Sequence, residues 1–175
     1  MWRYGSGGPA LRERRQGQRH YLRHKRMLDV VLSLLALMVL SPLLLAIGLL
    51  VAVDDPRGSP IFRQERVGKG GRRFWMYKFR TMCVDAETRL EELSLHNEMS
   101  GPTFKMREDP RITRVGRILR KTSLDELPQL VNVLRGEMSL VGPRPPLPRE
   151  VAQYTPYEWQ RLGITPGLTC YWQVR

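Results

Sequence analysis

Cysteine and histidine are scarce in this chain. Of 175 residues, two are cysteine, Cys83 and Cys170, and three are histidine. Two lone cysteines make neither a disulfide framework nor a metal-spaced pair, and such scarcity fits a reducing compartment. His20 and His24 stand four apart among basic residues with no third ligand close by, which argues against a metal site there. Acid is also in short supply, with 17 Asp and Glu against 29 Lys and Arg and a net charge of +12. The deficit is local. Residues 1–26 and 57–80 each carry eight basic side chains against one acid, and residues 103–124 carry seven against two. Only residues 85–98 reverse the sign, with five acids against one Arg. These blocks point to anionic partners: lipid headgroups, nucleotide phosphates or nucleic acid. A true phosphate loop is missing too. The glycines from Gly68 to Gly71 lack a Gly-Lys-Ser/Thr ending and a following apolar helix, so they read as a hairpin turn.

What the chain does have is a long apolar run. Residues 27–53 are interrupted only by Asp29, Ser33, Ser41, Pro42 and Gly48. As one helix the run would be about 40 Å long, more than the ~30 Å that a bilayer core requires. A signal peptide fits poorly, because 26 residues precede the run and no small-residue cleavage site follows it. Two features favour a re-entrant helix-break-helix over a spanning helix. Pro42 lacks an N–H and its ring crowds the carbonyl of Met38, a carbonyl that the Ser41 hydroxyl can satisfy. Both flanks are also basic, and basic flanks prefer the cytoplasmic side. Each half would then be too short to cross alone.

Beyond a turn-rich exit at residues 54–60, Ile61–Phe62 and Phe74–Phe79 read as short strands around the glycine turn. Tyr77-Lys78-Phe79-Arg80 is either a strand with one buried face or a strand aiming Lys78 and Arg80 at an anion. Residues 85–97 read as a helix with an Asp85/Arg89 pair and a solvated acidic face. Asp109-Pro110 is the expected start of a helix with Ile112, Val115, Ile118 and Leu119 on one side. Arg111, Arg114, Arg117 and Lys121 lie opposite, as a basic face for an anionic membrane or simply for solvent. Met138–Val141 reads as a strand. In the Pro-rich segment 143–148, polyproline geometry would fix where Arg144 points. Thr165-Pro166-Gly167 reads as a turn. The aromatics Tyr154, Tyr157, Trp159, Tyr171 and Trp172 suit either a membrane interface or a core.

The chemistry centres on Asp125 and Glu126. Ser123-Leu-Asp-Glu126 matches a capping box, and on that motif alone capping is the better reading. The surroundings shift the balance. Arg117, Arg120 and Lys121 precede the pair and Arg144 returns from the Pro segment, more positive charge than a capping acid needs. One carboxylate can hold a divalent cation while the other, ionised at neutral pH, attacks phosphorus without a general base.

Several ordered segments resemble one family. They are Lys25-Arg-Met-Leu-Asp29, Ser41-Pro42, Phe62-Arg-Gln64, Tyr77-Lys-Phe-Arg80, Asp109-Pro-Arg-Ile-Thr113, Leu119-Arg-Lys-Thr-Ser-Leu-Asp-Glu-Leu-Pro-Gln129, Ser139-Leu-Val-Gly-Pro-Arg-Pro145 and Thr165-Pro-Gly-Leu168. Together they resemble the bacterial sugar transferases, the monotopic polyprenyl-phosphate phosphoglycosyl transferases, from about Lys25 to the end. The resemblance implies a mostly helical α/β fold, with a re-entrant membrane hairpin bent at Ser41-Pro42 and a small catalytic domain bearing amphipathic surface helices. It implies that Asp125 attacks the β-phosphorus of a UDP-sugar, releases UMP and passes the phosphosugar to undecaprenyl phosphate. It implies that Glu126 holds Mg²⁺ and that Arg120, Arg144 and Lys78 sit near the substrate phosphates. Arg80 joins that expected set from its place in the strand. Members usually continue past Trp-Gln-Val with Ser-Gly-Arg and further helices, whereas this chain stops at Val174-Arg175. Cys170-Tyr171 stands where Gly-Leu is common, and the chain resembles the compact class.

The expected organisation is therefore a basic segment 1–26, a re-entrant hairpin 27–53 and a cytosolic transferase domain 54–175 with a short C-terminus. The expected location is the cytoplasmic face of the bacterial inner membrane, with membrane lipids as partners and no nucleic acid, since no reading motif for it is present. The residues leave the sugar open. The competing expectations are a membrane-tethered basic nucleic-acid-binding module and an inactive anchoring protein.

Overall fold

The longest element follows from the apolar run. The computed structural model describes residues 9–86, 88–89, 106 and 109–170, with side chains from residue 20 onward. Helix α1 spans Pro9–Asp54, so it takes in part of the basic segment and runs through the expected boundary at residue 26. Its portion His20–Asp54 is long and apolar enough, by length and composition, to cross a membrane. The expected break at Pro42 does not interrupt it. The Ser41 hydroxyl donates to the Met38 carbonyl at 2.8 Å, the acceptor that Pro42 cannot serve, and the helix continues past the gap.

One stripe of α1 is covered and the rest is bare. Asp29 and Ser33 are buried near one end of the apolar run, Ile47 and Val51 near the other. Ser33 and Ile47 are about four turns apart, hence on the same side. Pro42 falls half a turn from Ser33, on the exposed side. Between the covered points Val39 is 76% exposed and Leu45 70%.

Strands β1 (Ile61–Val67) and β2 (Arg73–Phe79) form an antiparallel hairpin in which Ile61 faces Phe79 and Val67 faces Arg73. The expected strand at Ile61–Phe62 thus extends to Val67. The glycine cluster is a turn, as expected, with Gly70 and Gly71 at φ of 67° and 78°. Helix α2 (Arg114–Thr122) starts later than expected. Asp109 does not cap it. Its carboxylate accepts from the Arg111 backbone at 3.0 Å and pairs with the Arg111 guanidinium at 2.7 Å, and Thr113 supplies the cap to Gly116. Arg111 is therefore buried rather than on a basic face, and Ile118 points outward while Leu119 points in. Gly116 is required here, because a Cβ would overlap the Thr81 backbone.

A one-turn 3-10 helix, Leu124–Glu126, links α2 to α3 (Gln129–Arg135). Strand β3 (Ser139–Val141) follows, then α4 (Pro148–Val151), α5 (Pro156–Trp159) and β4 (Gly167–Thr169). β4, expected only as a turn, pairs in parallel with β3, Ser139 beside Gly167 and Val141 beside Thr169. The described residues are thus mostly helical, with two two-stranded sheets. The expected helix at 85–97 lies mostly outside them, although the Asp85–Arg89 pair is present at 2.8 Å. Tyr171 and Trp172 also lie outside.

Apolar contacts bind these pieces in three groups. Ile47 and Val51 of α1 pack on Phe79 and Leu119. Phe74 and Met76 pack on Val133 and Met138. Val67 packs on Val151 and Leu162. Polar contacts tie the other end of α1 to the same body. Arg26 donates to the Leu134 carbonyl at 2.7 Å, at the C-terminus of α3, where a cation is favoured. Asp29 accepts from the Leu140 backbone at 3.2 Å and from Lys25 at 3.3 Å.

Candidate active site

The acid pair sits in a turn that its own sequence makes tight. α2 ends at Ser123, which adopts φ 57°, the left-handed region that usually calls for glycine. The chain then closes one 3-10 turn and carries Asp125 and Glu126 back toward β2. Ser123 makes no side-chain cap to this turn, so the capping-box reading does not hold. The Glu126 carboxylate turns instead to Lys78, accepting from its ammonium at 2.6 Å.

Asp125 is 8% exposed. Burial pushes its carboxyl above the ordinary value, the neighbouring Glu126 adds to that, and the positive charges of Lys78 and Arg120 oppose it. Arg120 also donates from Nε to the Thr81 hydroxyl at 2.9 Å, which fixes its stem beside the turn. Four of the expected groups, Asp125, Glu126, Lys78 and Arg120, are thus brought together. Arg144 joins them across a cavity of about 100 Å³ lined by Lys78, Glu126, Arg66, Gln129 and Arg144. Asp125 lies beside this cavity rather than on its wall.

The Pro-rich segment is held as its stiffness suggested, and by three of its carbonyls. Pro143 accepts from Gly167 N at 2.9 Å, Pro145 from the Arg66 guanidinium at 3.0 Å and Pro146 from Val67 N at 2.9 Å. Arg144 projects from this pinned backbone. The approach of Gly167 to Gly142 leaves no room for a Cβ on either residue.

Arg80 departs from the expected set. It lies one residue past β2, is buried, and places its guanidinium by Asp55, Nη1 standing 3.8 Å from Oδ2. Its other Nη contact is the Asp55 carbonyl. It braces the exit of α1 and does not reach the cavity, because the chain turns away after Phe79, where Arg80 N bonds Pro60 O at 2.8 Å.

Two lining residues were missed from the sequence, Arg66 and Gln129. The hairpin register carries the signal for Arg66. Phe74, Met76 and Lys78 face Arg66, Gln64 and Phe62 across the strands, so Arg66 shares the face of Lys78. Burial, followed by the charge of Arg144, pushes Arg66 down to about 10. For Gln129 only its place one turn after Glu126 points to the cavity.

Among the described residues no three His, Cys, Asp or Glu side chains form a metal cage. Mg²⁺ does not need one, since it is commonly held by one or two carboxylates with waters and substrate phosphates. Glu126 on the wall of a polar cavity meets that requirement, its Oε1 engaged by Lys78.

Over most of its length the chain is similar to known proteins. The family model described as Bacterial sugar transferase matches residues 20–175. The galactosyl transferase CpsE of Streptococcus agalactiae is 47% identical over 86% of this chain and 33% of its own length. The undecaprenyl-phosphate galactose phosphotransferase of Salmonella typhimurium is 44% identical over 86% of this chain and 32% of its own. The exopolysaccharide production protein ExoY of Sinorhizobium fredii is 45% identical over 86% of this chain and 68% of its own. This chain thus spans about a third of the first two relatives and about two thirds of the third. By the match of residues 20–175, the chain belongs to the bacterial sugar transferase family.

Proposed function

We propose that the chain transfers a sugar phosphate from a UDP-sugar to undecaprenyl phosphate at the cytoplasmic face of the bacterial inner membrane. The observation that carries this reading is the burial of Asp125 beside Lys78, Glu126 and Arg120, next to a cavity edged by Arg66 and Arg144. One Asp125 carboxylate oxygen attacks the β-phosphorus. The bond from that phosphorus to the bridging oxygen breaks, and UMP leaves with the bridging oxygen. A phosphate oxygen of undecaprenyl phosphate then attacks the same phosphorus and the Asp125 carboxylate departs. Splitting the transfer in this way lets both substrates use one phosphate site in turn.

Lys78, Arg120 and Arg144 offset the charge gathered on the phosphates, and the low-dielectric setting strengthens each contact. Mg²⁺ held by Glu126 and substrate oxygens would supply further charge neutralisation. Arg66 holds the Pro145 carbonyl, so it acts on Arg144 through the backbone.

The re-entrant reading of α1 belongs to the same proposal, and its support is the placement of the covered stripe. One small body grips α1 at Arg26 and Asp29 and again at Ile47 and Val51. A helix crossing the bilayer would put those two grips on opposite sides. Pro42 on the face away from the body lets the helix bend toward it.

The test is UMP release from UDP-sugars in detergent with Mg²⁺ and polyprenyl phosphate. Wild-type protein is expected to release UMP and to give a phosphosugar adduct on Asp125. Asp125→Asn is expected to abolish both. Turnover by pure Asp125→Asn, with amide hydrolysis excluded, would overturn the assignment.

A further inference from the structure

Asn132 is fully buried, and its side-chain amide makes three bonds, two to β2 and one to Glu137 just past the end of α3. Its Oδ1 accepts from Tyr77 N at 3.1 Å. Its Nδ2 donates to Trp75 O at 2.7 Å and to Glu137 Oε2 at 2.6 Å. These partners fix which end of the amide is oxygen. Trp75 O and Tyr77 N are main-chain groups of β2 on the edge that β1 does not use. The amide of Asn132 therefore bonds β2 as a neighbouring strand would, with one acceptor and one donor.

The position of this bond matters for the site. Tyr77 directly precedes Lys78, whose ammonium holds Glu126 at 2.6 Å. Asn132 lies on α3, which follows Asp125 and Glu126 within a few residues. The same two stretches of chain are thus joined twice, once by a neutral buried amide and once by the ion pair at the cavity. The amide sets how β2 slides against α3, and that slide decides where the Lys78 ammonium stands relative to both carboxylates. Glu137 holds the amide in turn, and the backbone N–H groups of Glu137 and Met138 bond the Asn132 carbonyl at 3.1 and 3.3 Å, which locks the residue at the end of α3.

We propose that Asn132 is a positioning residue for the transfer, its amide acting as a one-residue strand that holds Lys78 at working distance from Asp125 and Glu126. The inference rests on the transferase reading. A carboxylate at this position would face the Trp75 carbonyl and Glu137, and an apolar residue would take this partner from Tyr77 N, Trp75 O and Glu137 Oε2. A misplacement of ~1 Å at a reacting group costs on the order of 100-fold in rate.

The experiment compares Asn132→Ala with Val133→Ala. Val133 is the next residue on α3, is equally buried and packs by an apolar side chain on Phe74 and Met76 of the same strand. Turnover, the UDP-sugar KM and the 15N shift of the Lys78 ammonium are measured on folded protein in detergent. Asn132→Ala is expected to lower kcat by one to two orders of magnitude, to leave the UDP-sugar KM within about threefold, and to move the Lys78 shift. Val133→Ala is expected to lose comparable stability, to keep kcat within about threefold of the wild type and to leave the Lys78 shift in place. Asn132→Ser serves the same comparison where Asn132→Ala does not fold. Equal kcat and an unmoved Lys78 shift in both variants would sink the proposal. Failure of the wild type to release UMP counts against the transferase reading instead, and the Lys78 shift still reports whether Asn132 places the ammonium.

Discussion

At the scale of single residues, the site trades stability for chemistry. An acid whose pKa rises on folding holds more protons folded than unfolded. Stability therefore falls as pH climbs from the ordinary value of 3.8 through the raised one, and it stays low above both. Asp125→Asn removes that burden. It is expected to melt above the wild type at neutral pH, with the gap closing below pH 3.8, as read by thermal scans across pH. Ser123 carries a second local burden, a left-handed conformation just before the pair. Ser123→Val is expected to destabilise by about 1–2 kcal/mol and to reduce turnover, because a β-branched side chain crowds that conformation. Ser123→Gly is expected to be tolerated, and equal behaviour of the two variants in denaturant titrations would remove strain from the account. Which residues of this site were legible follows from the same local rules. Asp125 and Glu126 stood out as adjacent acids amid basic residues. Arg66 did not, because its place depends on the register across the hairpin. Arg80 has the same strand parity as Lys78, yet its fate was decided by Asp55, far earlier in the chain.

At the scale of elements, the joint between α1 and the rest is polar at one end and apolar at the other. Asp29 accepts from Leu140 N, the residue after Ser139 and four before Arg144. Asp29→Ala leaves that part-buried N–H without its partner and Lys25 with only the Ser139 hydroxyl, at about 1–3 kcal/mol. Faster proteolysis between β3 and α4 is the expected signature, and an unchanged cleavage rate would separate the joint from the Pro-rich segment. The hairpin and α1 were legible because each has a period or a run that one window of sequence contains. The start of α2 was not, since Asp109 is consumed by Arg111 and the cap falls to Thr113. β4 was not either: three residues show no alternation, and its partner β3 lies far back in the chain.

At the scale of the whole molecule, the two grips on α1 make a topological claim that labelling can test. In a chain whose Cys83 and Cys170 are replaced, single cysteines are placed at His20 and at Arg57, on either side of the apolar run. Both are expected to resist an impermeant thiol reagent in intact cells and to react once the cytoplasmic face is opened. Labelling of either one from outside would mean that α1 crosses the bilayer. This level of organisation was the least legible. The basic flanks and Pro42 announced a hairpin, but the uninterrupted helix and its single covered stripe emerge only from packing against strands and helices that come later.

The contact of Gly167 with Pro143 reaches into the order of synthesis. β4, which leaves the ribosome after every other described element, secures the carbonyl just ahead of Arg144 and lines the cavity with Leu168. A nascent polypeptide can seat α1 and close the hairpin long before that. It can present the Arg144 guanidinium only after residues 167–169 arrive, so partial products reach the membrane without a competent catalytic centre.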